Sequence, residues 1–297
     1  MKYRKLGEWK VSAIGLGAMP LQIEHRPDRE TAINVIHRAL ELGINHIDTA
    51  FAYYNAGGTA ENGEEEYGEK LVREAMESYN GDKSNVIIAS KAGHYRYLNH
   101  HDEPRWGQEG NPRYILECGE KSREALGVDS IDLYYYHRPD RNTPYEESIE
   151  AFKMLVDRGI AKYIGVSNAS IEQIEVAKSI LGDKLIAVQN QFSPGVTFTY
   201  DTLKYTHEHG IAFVPWSPLG GYRHPNLQTK DALFQKVGEK HGVSAQQVIL
   251  AWELAQADNV IPIPGFHRTL TLKDSAKAVD LVLSVDELSE LNGVIGA

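Results

Sequence analysis

The sequence predicts an α/β protein of the (β/α)8 TIM-barrel class with a short N-terminal β-hairpin, in a single domain over residues 1–297. From residue 13 onward, short apolar stretches alternate with amphipathic ones through eight units. Strict alternation implies a parallel sheet, and eight such units close into a barrel. No G-x-G-x-x-G follows the first strand, which disfavours an open doubly wound sheet, and no sequence repeat at a fixed period supports a solenoid.

The first half of the chain supplies the hairpin and four barrel units. Residues 2–5 and 10–12, joined at Gly7-Glu8, alternate in a way typical of a hairpin. An apolar face over residues 28–42, ending before Gly43, predicts the first helix. The strands of this half are predicted at 13–17, 44–47, 86–90 and 131–136, and the further helices at 65–78, from Pro112 onward, and at 145–158.

The second half repeats the alternation. Its strands are predicted at 163–166, 187–191, 211–215 and 260–264, and its helices at 171–181, 201–209, 231–241, 245–255, 271–279 and 286–294. The stretch 92–111 in the first half is too long for an ordinary connection, and loops of that length are usually functional or disordered. Its density of aromatic and imidazole side chains predicts a wall that faces a ligand.

The composition restricts the class of partner. A formal net charge of -10 disfavours nucleic acid and anionic membrane, so small molecules are the favoured ligands. The single cysteine, Cys118, forms no internal disulfide, which suits a reducing compartment, and its setting among helix formers predicts a buried thiol. No segment reaches the roughly 18 apolar residues of a membrane span. We therefore predict a cytoplasmic protein.

Polar side chains end three consecutive predicted strands. Asp48, Lys91 and His137 stand at the carboxyl ends, where barrels carry their chemistry, and Tyr53 follows Asp48 by five positions. Each of these residues also has a structural interpretation. The acid suits a turn or a helix cap, the lysine a cation at the barrel rim and the histidine a place in the core, while Tyr53 is one of 16 tyrosines. An acid, a phenol, an amine and an imidazole at neighbouring strand ends nevertheless predict a proton-transfer site.

The chain resembles the aldo-keto reductases over nearly its whole length. The resemblance is carried by Asp48-Thr49-Ala50-x-x-Tyr53, Ile88-Ala89-Ser90-Lys91, Tyr134-Tyr135-Tyr136-His137, Gly165-Val166-Ser167-Asn168, Gln189-Asn190, Trp216-Ser217-Pro218-Leu219-Gly220 and Ile261-Pro262-Ile263-Pro264-Gly265. It implies a barrel that reduces carbonyls with a nicotinamide cofactor and no metal. Tyr53 is then the general acid, assisted by Lys91, Asp48 and His137. Lys91 would favour the phenolate by opposite charge, and Asp48 would hold the ammonium in place.

The same resemblance implies the cofactor contacts. Ser167, Asn168 and Gln189 would bind the carboxamide, Trp216 would stack on the nicotinamide, and the loop with Ser217 and Leu219 would close over the pyrophosphate.

The adenosine end departs from the common family pattern. Gly265 and Phe266 stand where many members carry a lysine and a serine, and Thr271 where an arginine is frequent. His267 and Arg268 would supply the positive charge instead, which favours NADPH/NADP+ while leaving NADH possible. Asp274 and Ser275 would face the adenine by position.

Tyr54, His94 and Trp106 are the predicted substrate contacts, with the segment 221–228 helping to shape the pocket. Together they predict a sugar, a polyol or a hydroxylated aldehyde as substrate. Two alternatives remain open. One is a metal-dependent barrel hydrolase or isomerase that uses His94, His100, His101 and His137; the other is a cofactor-binding regulatory barrel that resembles a channel subunit.

Overall fold

The computed structural model describes residues 1–59, 61–221 and 228–295. The predicted N-terminal hairpin is present as β1 (Tyr3–Leu6) and β2 (Trp9–Ser12), which turn at Gly7 with a positive φ of 59°. The later strands are β3 (Leu16–Gly17), β4 (His46–Asp48), β5 (Ile87–Ala92), β6 (His94–Leu98), β7 (Pro104–Gln108), β8 (Ile131–Tyr136), β9 (Ala161–Ser167), β10 (Leu185–Gln189) and β11 (Ala212–Phe213).

A curled parallel sheet forms the centre of the fold. Its strand order is β11-β10-β9-β8-β5-β4-β3, and each neighbouring pair is parallel. The first and last of these strands, β3 and β11, are two residues long, shorter than predicted. The predicted α/β barrel class with its hairpin is confirmed.

The eighth predicted strand, residues 260–264, is an extended segment without a continuous ladder. Gly17 pairs with Gly265, and Phe213 pairs with Val260, as isolated parallel bridges. The Gly17 N–H donates to the Pro264 carbonyl at 3.0 Å, and the Ile261 N–H donates to the Phe213 carbonyl at 2.8 Å. Because prolines lack a backbone N–H, the segment does not form a continuous ladder of hydrogen bonds. It hydrogen-bonds at intervals to β3 and β11 and closes the barrel between them.

The helices follow the predicted alternation to within a few residues. They are α1 (Arg29–Glu41), α2 (Tyr67–Ser78), α3 (Pro112–Leu126), α4 (Tyr145–Asp157), α5 (Ile171–Leu181), α6 (Tyr200–Glu208), α7 (Gln228–His241), α8 (Ala245–Gln256), α9 (Thr269–Ala276) and α10 (Val285–Leu291). Local signals set their ends. Asp28 accepts a hydrogen bond from the Thr31 N–H at the start of α1, and Pro112 occupies the first turn of α3.

The stretch 92–111 is not the irregular loop that its length predicts. It folds into an antiparallel hairpin, β6 with β7, in which His94 pairs with Gln108. Its tip has no two-residue Asn-Gly turn that would announce a hairpin in the sequence. Instead the Asn99 side chain accepts hydrogen bonds from the backbone N–H groups of His101 and Glu103, and Asp102 takes a positive φ of 56°.

The structure bears on two predictions made from the composition, one about Cys118 and one about membrane-spanning segments. Cys118 is buried, as predicted, and burial raises its pKa to about 12, so the thiol stays protonated. Within the described ranges, no helix has the length and apolar character needed to cross a membrane.

Glu253 is a buried acidic residue. It is fully buried on α8, beside the equally buried Trp252. Neither of its carboxyl oxygens has a hydrogen-bond partner among the described residues, and burial raises its pKa well above the ordinary value. Keeping a carboxyl with an ordinary pKa protonated at pH 7 costs about 3–4 kcal/mol.

Replacing Glu253 with Leu is therefore expected to stabilise the fold. Because the folded-state pKa is raised, the stability of the parent chain is highest below the unfolded-state pKa and falls as pH rises above it. Urea unfolding should show a gain of about 2–4 kcal/mol at pH 8 and a smaller gain at pH 5. The same substitution at Glu150, exposed on α4, should change stability by less than about 0.5 kcal/mol. A gain at Glu253 that does not depend on pH would contradict this account.

Candidate active site

Four predicted side chains converge at the carboxyl ends of the adjacent strands β4, β5 and β8. Lys91 Nζ lies 2.5 Å from Asp48 Oδ1, 2.7 Å from the carbonyl oxygen of Thr49 and 3.5 Å from Tyr53 Oη. The rings of Tyr53 and His137 pack edge to face with centroids 5.8 Å apart. The strand topology therefore brings an acid, an amine, a phenol and an imidazole into one cluster, which we call the tetrad.

The ion pair of the tetrad is shut off from water. Lys91 is 0% exposed and Asp48 is 2% exposed. Burial is the largest single influence on the pKa of Lys91 and lowers it, but Asp48 and Tyr53 together outweigh burial, so the pKa of Lys91 is raised. Lys91 is therefore a permanent buried cation beside the phenol.

Burial decides the protonation of the other two groups. It raises the pKa of Tyr53 above its ordinary value, although the Lys91 charge acts in the opposite direction. The effect of Lys91 expected from the sequence is thus present but smaller than that of burial. For His137, burial and then the neighbouring His94 and Lys91 hold the pKa well below its ordinary value. The cluster consequently presents a protonated phenol and a neutral imidazole.

Three amide and hydroxyl side chains join the ends of β9 and β10 to the tetrad. Gln189 Nε2 donates to Asp48 Oδ2 at 2.7 Å, and Asn168 Nδ2 donates to the His137 carbonyl at 3.0 Å. Ser167 Oγ donates to the Gln189 carbonyl at 2.7 Å. Asn168 takes a positive φ of 57°, a conformation that turns its side chain back over the strand end and that asparagine tolerates better than most residues.

The hairpin β6–β7 supplies an aromatic wall. His94 and Trp106 stack with ring centroids 4.9 Å apart. Trp106 also packs edge to face on Tyr53 at 6.3 Å, and His94 on His137 at 4.6 Å. Both predicted substrate contacts of the hairpin therefore lie directly against the tetrad.

A partly buried ion pair behind this wall was not predicted from the sequence. The Arg96 guanidinium bonds to Glu24 and stacks on the Trp106 ring, 4.0 Å from its centroid. Tyr54, the third predicted substrate contact, lies in the core behind the wall, and its hydroxyl accepts a hydrogen bond from the Arg96 N–H at 3.2 Å. Tyr54 therefore supports the hairpin from behind.

The predicted stacking residue lies after β11. Trp216 is half-buried, and its Nε1–H is buried without a hydrogen-bond partner in the described part of the chain. Ser217 follows with a positive φ of 50°, and Leu219 packs partly against the core. Of the predicted pocket segment 221–228, residues 222–227 lie outside the described residues.

The residues predicted for the adenosine end divide into two groups. His267, Arg268 and Thr271 are exposed around the start of α9, while Phe266 turns into the core. Gly265 closes the barrel against Gly17, and Ser275 is buried. The Asp274 carboxylate accepts hydrogen bonds from Ser244 Oγ at 2.5 Å and Gln247 Nε2 at 2.6 Å, so it anchors the start of α8.

The histidines of the metal alternative do not form one cluster. His100 and His101 lie exposed at the tip of the hairpin, away from His137. Within the described residues, no group of three or more His, Cys, Asp or Glu side chains is arranged to hold a metal ion. A cavity of about 830 Å³ at the opposite end of the barrel, lined by residues such as Arg4, Ala212 and Leu254, contains no tetrad residue.

The barrel presents a proton-transfer site at its strand ends, and comparison with known proteins gives the family and with it the enzyme class, an oxidoreductase. Residues 13–295 match the aldo/keto reductase family, and the chain belongs to that family. It is an NAD(P)-dependent reductase, and membership of the family implies small-molecule carbonyl substrates. The resemblance inferred from the motifs is thereby confirmed.

Relatives and solved structures cover almost all of the chain. Pyridoxine 4-dehydrogenase of Escherichia coli is 30% identical over 299 residues, which span 97% of this chain and 96% of the relative. A thermostable aldo-keto reductase solved with the inhibitor epalrestat superposes with a TM-score of 0.82 at 26% identity, covering 99% of this chain and 100% of the other. An aldo/keto reductase from Klebsiella pneumoniae, solved with NADP and acetate, gives 0.79 at 25% identity, with 99% and 95% covered.

Proposed function

We propose that this protein is an NADPH-dependent carbonyl reductase that converts aldehydes or ketones to alcohols, reversibly, with Tyr53 as the general acid. The observation that carries the proposal is the contact of Lys91 Nζ with both Asp48 and Tyr53 inside a buried site. When bound, the nicotinamide cofactor would supply hydride to the carbonyl carbon. The protein must then stabilise and protonate the oxygen on which negative charge develops.

Each member of the tetrad has a distinct task in this proposal. Tyr53 donates its phenolic proton to the carbonyl oxygen, and the Lys91 ammonium stabilises the phenolate that remains. Asp48 holds Lys91 at 2.5 Å, so that the buried cation keeps its proton and its position. Neutral His137 donates one ring N–H to the carbonyl oxygen and orients it. Positioned acid catalysis of this kind is worth about 10²–10⁴ in rate.

The nicotinamide end of the cofactor fits the residues around the tetrad. The Nδ2 hydrogens of Asn168 already bond to His137 and Ser167, which leaves its Oδ1 to accept from a carboxamide. Ser167 and Gln189 complete that group, and the half-buried Trp216 ring offers a flat face for stacking. The Trp216 Nε1–H, which has no hydrogen-bond partner among the described residues, is one donor that a bound cofactor would satisfy. Ser217 and Leu219 would flank the pyrophosphate.

The adenosine end would bind at the start of α9. Arg268 is the residue that precedes this helix, and no side chain in the described part of the chain caps the helix start. Free backbone N–H groups at a helix start favour an anion, and an arginine fork matches a 2′-phosphate. Arg268, with His267 and Thr271 beside it, would therefore confer the preference for NADPH. Gly265, Asp274 and Ser275 would border the adenosine. Asp274 would do so from its position against α8.

Replacing Arg268 with Gln should raise the Kd of NADPH about 10- to 100-fold and leave the Kd of NADH nearly unchanged, because a charge-assisted hydrogen bond to the phosphate is lost. Quenching of tryptophan fluorescence measures both constants. Lys273→Gln, an exposed cation later on the same helix, serves as the control and should change neither. If the parent chain binds NADH as tightly as NADPH, Arg268 does not have this role.

The substrate would be a polar hydroxylated carbonyl compound, such as a sugar, a polyol in the reverse direction, or a hydroxylated aldehyde. His94 and Trp106 form the wall against which it would lie, with Tyr54 supporting that wall. The relative named pyridoxine 4-dehydrogenase agrees with a ring-bearing polar substrate. A panel of carbonyls assayed by nicotinamide absorbance with both cofactors tests the proposal. Turnover confined to apolar aromatic aldehydes or steroids would reject the substrate class, and no turnover at all would reject the function.

A further inference from the structure

A fully buried glutamine, Gln22, connects three segments of the chain next to the tetrad. It follows β3 and the short 3-10 helix Met19–Leu21, and none of its surface reaches solvent. Its Nε2 donates to the Gly68 carbonyl at 2.9 Å, and its Oε1 accepts from Thr49 Oγ1 at 2.8 Å. Both ends of the side-chain amide are therefore used inside the core, where an unpaired donor or acceptor is costly.

Thr49 supplies one of the oxygen atoms that hold the Lys91 ammonium. It follows Asp48 at the end of β4, and its carbonyl oxygen lies 2.7 Å from Lys91 Nζ. Its N–H donates to the Ala89 carbonyl at 2.9 Å, which continues the pairing with β5. Its hydroxyl donates to Gln22. The residue that contacts Lys91 through its backbone is therefore itself held by Gln22 through its side chain.

Gly68 holds the other end of the turn, where Tyr53 lies. The first N–H groups of a helix have no partner within the helix, and in α2 the Gly68 N–H donates to the Tyr53 carbonyl at 3.0 Å. A Cβ on residue 68 would lie 2.7 Å from the Tyr53 carbonyl oxygen and 2.8 Å from Gln22 Oε1. Glycine at this position therefore lets α2 approach both residues closely enough to bond to them.

Gln22 closes a chain of hydrogen bonds around the proton donor. The chain runs from Lys91 through Thr49 to Gln22, and from Gln22 through Gly68 to the backbone of Tyr53. The Tyr53 hydroxyl lies 3.5 Å from Lys91 Nζ, at the outer limit of a hydrogen bond. A contact of that length is sensitive to small displacements, and a misplacement of about 1 Å can cost about 100-fold in rate.

We propose that Gln22 is a positioning residue for carbonyl reduction, because it holds the turn from Thr49 to Tyr53 so that the Tyr53 hydroxyl and Lys91 stay in contact. This inference rests on the proposed function, since it concerns the same proton donor. Gln22 acts through the Thr49 hydroxyl and the Gly68 carbonyl and touches no reacting atom. Its loss should therefore lower kcat and leave the binding of NADPH and of the carbonyl substrate unchanged.

The test removes each partner of the bond between Gln22 and Thr49. Gln22→Met keeps the length of the side chain and removes both of its hydrogen bonds, so kcat should fall about 10- to 100-fold while KM and the NADPH Kd stay the same. Thr49→Val keeps the shape of the side chain and removes the hydroxyl, and it should also lower kcat, by about 10-fold. Thr49→Ser keeps the hydroxyl and should retain kcat. Single-turnover absorbance of NADPH measures the rates.

Gln256→Met is the matched control. Gln256 is the last residue of α8, two positions beyond Leu254 at the opposite end of the barrel, and its Nε2 donates to the Trp252 carbonyl at 3.0 Å. The control loses a glutamine hydrogen bond away from the tetrad, so its kcat should not change. An equal fall in Gln256→Met would mean a general loss of stability, and an equal fall in Thr49→Ser and Thr49→Val would mean that the hydroxyl is not needed. Either result overturns the inference.

Crystal structures of the parent chain, Gln22→Met and Thr49→Val separate this inference from the proposed function. A longer separation of Lys91 Nζ from Tyr53 Oη in the variants than in the parent supports the inference even where no carbonyl is reduced. An unchanged separation overturns it. Thr49→Val leaves the bond between Gln22 and Gly68 in place, so this variant carries the test alone if Gln22→Met does not fold.

Discussion

Replacing Tyr53 with Phe is expected to lower kcat for carbonyl reduction by about 10²–10⁴ and to leave NADPH binding intact. The substitution removes the hydroxyl that lies 3.5 Å from Lys91 Nζ and keeps the ring that packs on His137 and Trp106. The proton donor is lost while the shape of the site is kept. Single-turnover absorbance of NADPH measures the rate, and fluorescence titration measures the Kd.

The adjacent Tyr54 offers a matched control for that experiment. Tyr54→Phe loses the hydrogen bond from the Arg96 N–H behind the wall, so its effect on kcat should be much smaller than that of Tyr53→Phe. A loss of NADPH binding together with activity in Tyr53→Phe would show that Tyr53 is structural. A larger loss in Tyr54→Phe would transfer the catalytic assignment to the neighbouring phenol.

The convergence of the tetrad was predictable because topology alone enforces it. The carboxyl ends of parallel strands meet at one edge, so Asp48, Lys91 and His137 had to approach one another once three strand ends had been recognised. Because side chains alternate between the two faces of a strand, the positions of these residues then direct their side chains toward the inside of the barrel. Tyr53 could be assigned only through the family motif, because its position in the chain after β4 does not distinguish it from the adjacent Tyr54.

Features that depend on contacts between residues far apart in the chain, or on how deeply a group is buried, could not be predicted from the sequence. Arg96 and Glu24 are 72 residues apart, and no local pattern announces that they pair behind Trp106. The net direction of the Tyr53 pKa depends on how far burial outweighs the charge of Lys91, a balance that only the packing fixes. Glu253 is a charged residue on a helix, and only the packing of the fold shows that it is buried.

Replacing Asp48 with Asn is expected to destabilise the fold as well as to remove activity. The change keeps the shape of the side chain but removes the charge beside the fully buried Lys91 ammonium. Breaking a buried pair by removing one partner costs about 3–5 kcal/mol, because an uncompensated charge is left behind. Activity should fall with it, because Lys91 loses its proton more readily without the Asp48 charge and then no longer favours the phenolate of Tyr53. Urea unfolding and the carbonyl assay, run on the same preparation, measure the two effects.

The dependence of this loss on pH separates a buried charge from a generic packing defect. In Asp48→Asn, burial acts on Lys91 without the carboxylate that opposed it, and we expect the folded-state pKa of Lys91 to fall below the unfolded value, so the unfolded chain binds more protons and stability rises with pH. The deficit relative to the parent chain should therefore shrink between pH 7 and about pH 9.5. Asp157→Asn breaks an ion pair of similar length, 2.6 Å to Lys153, on the exposed face of α4, and should cost less than about 1 kcal/mol at either pH. An Asp48→Asn deficit that is the same at both pH values would mean that Lys91 is not held as a buried cation, and the proton-transfer role assigned to the pair would fall with it.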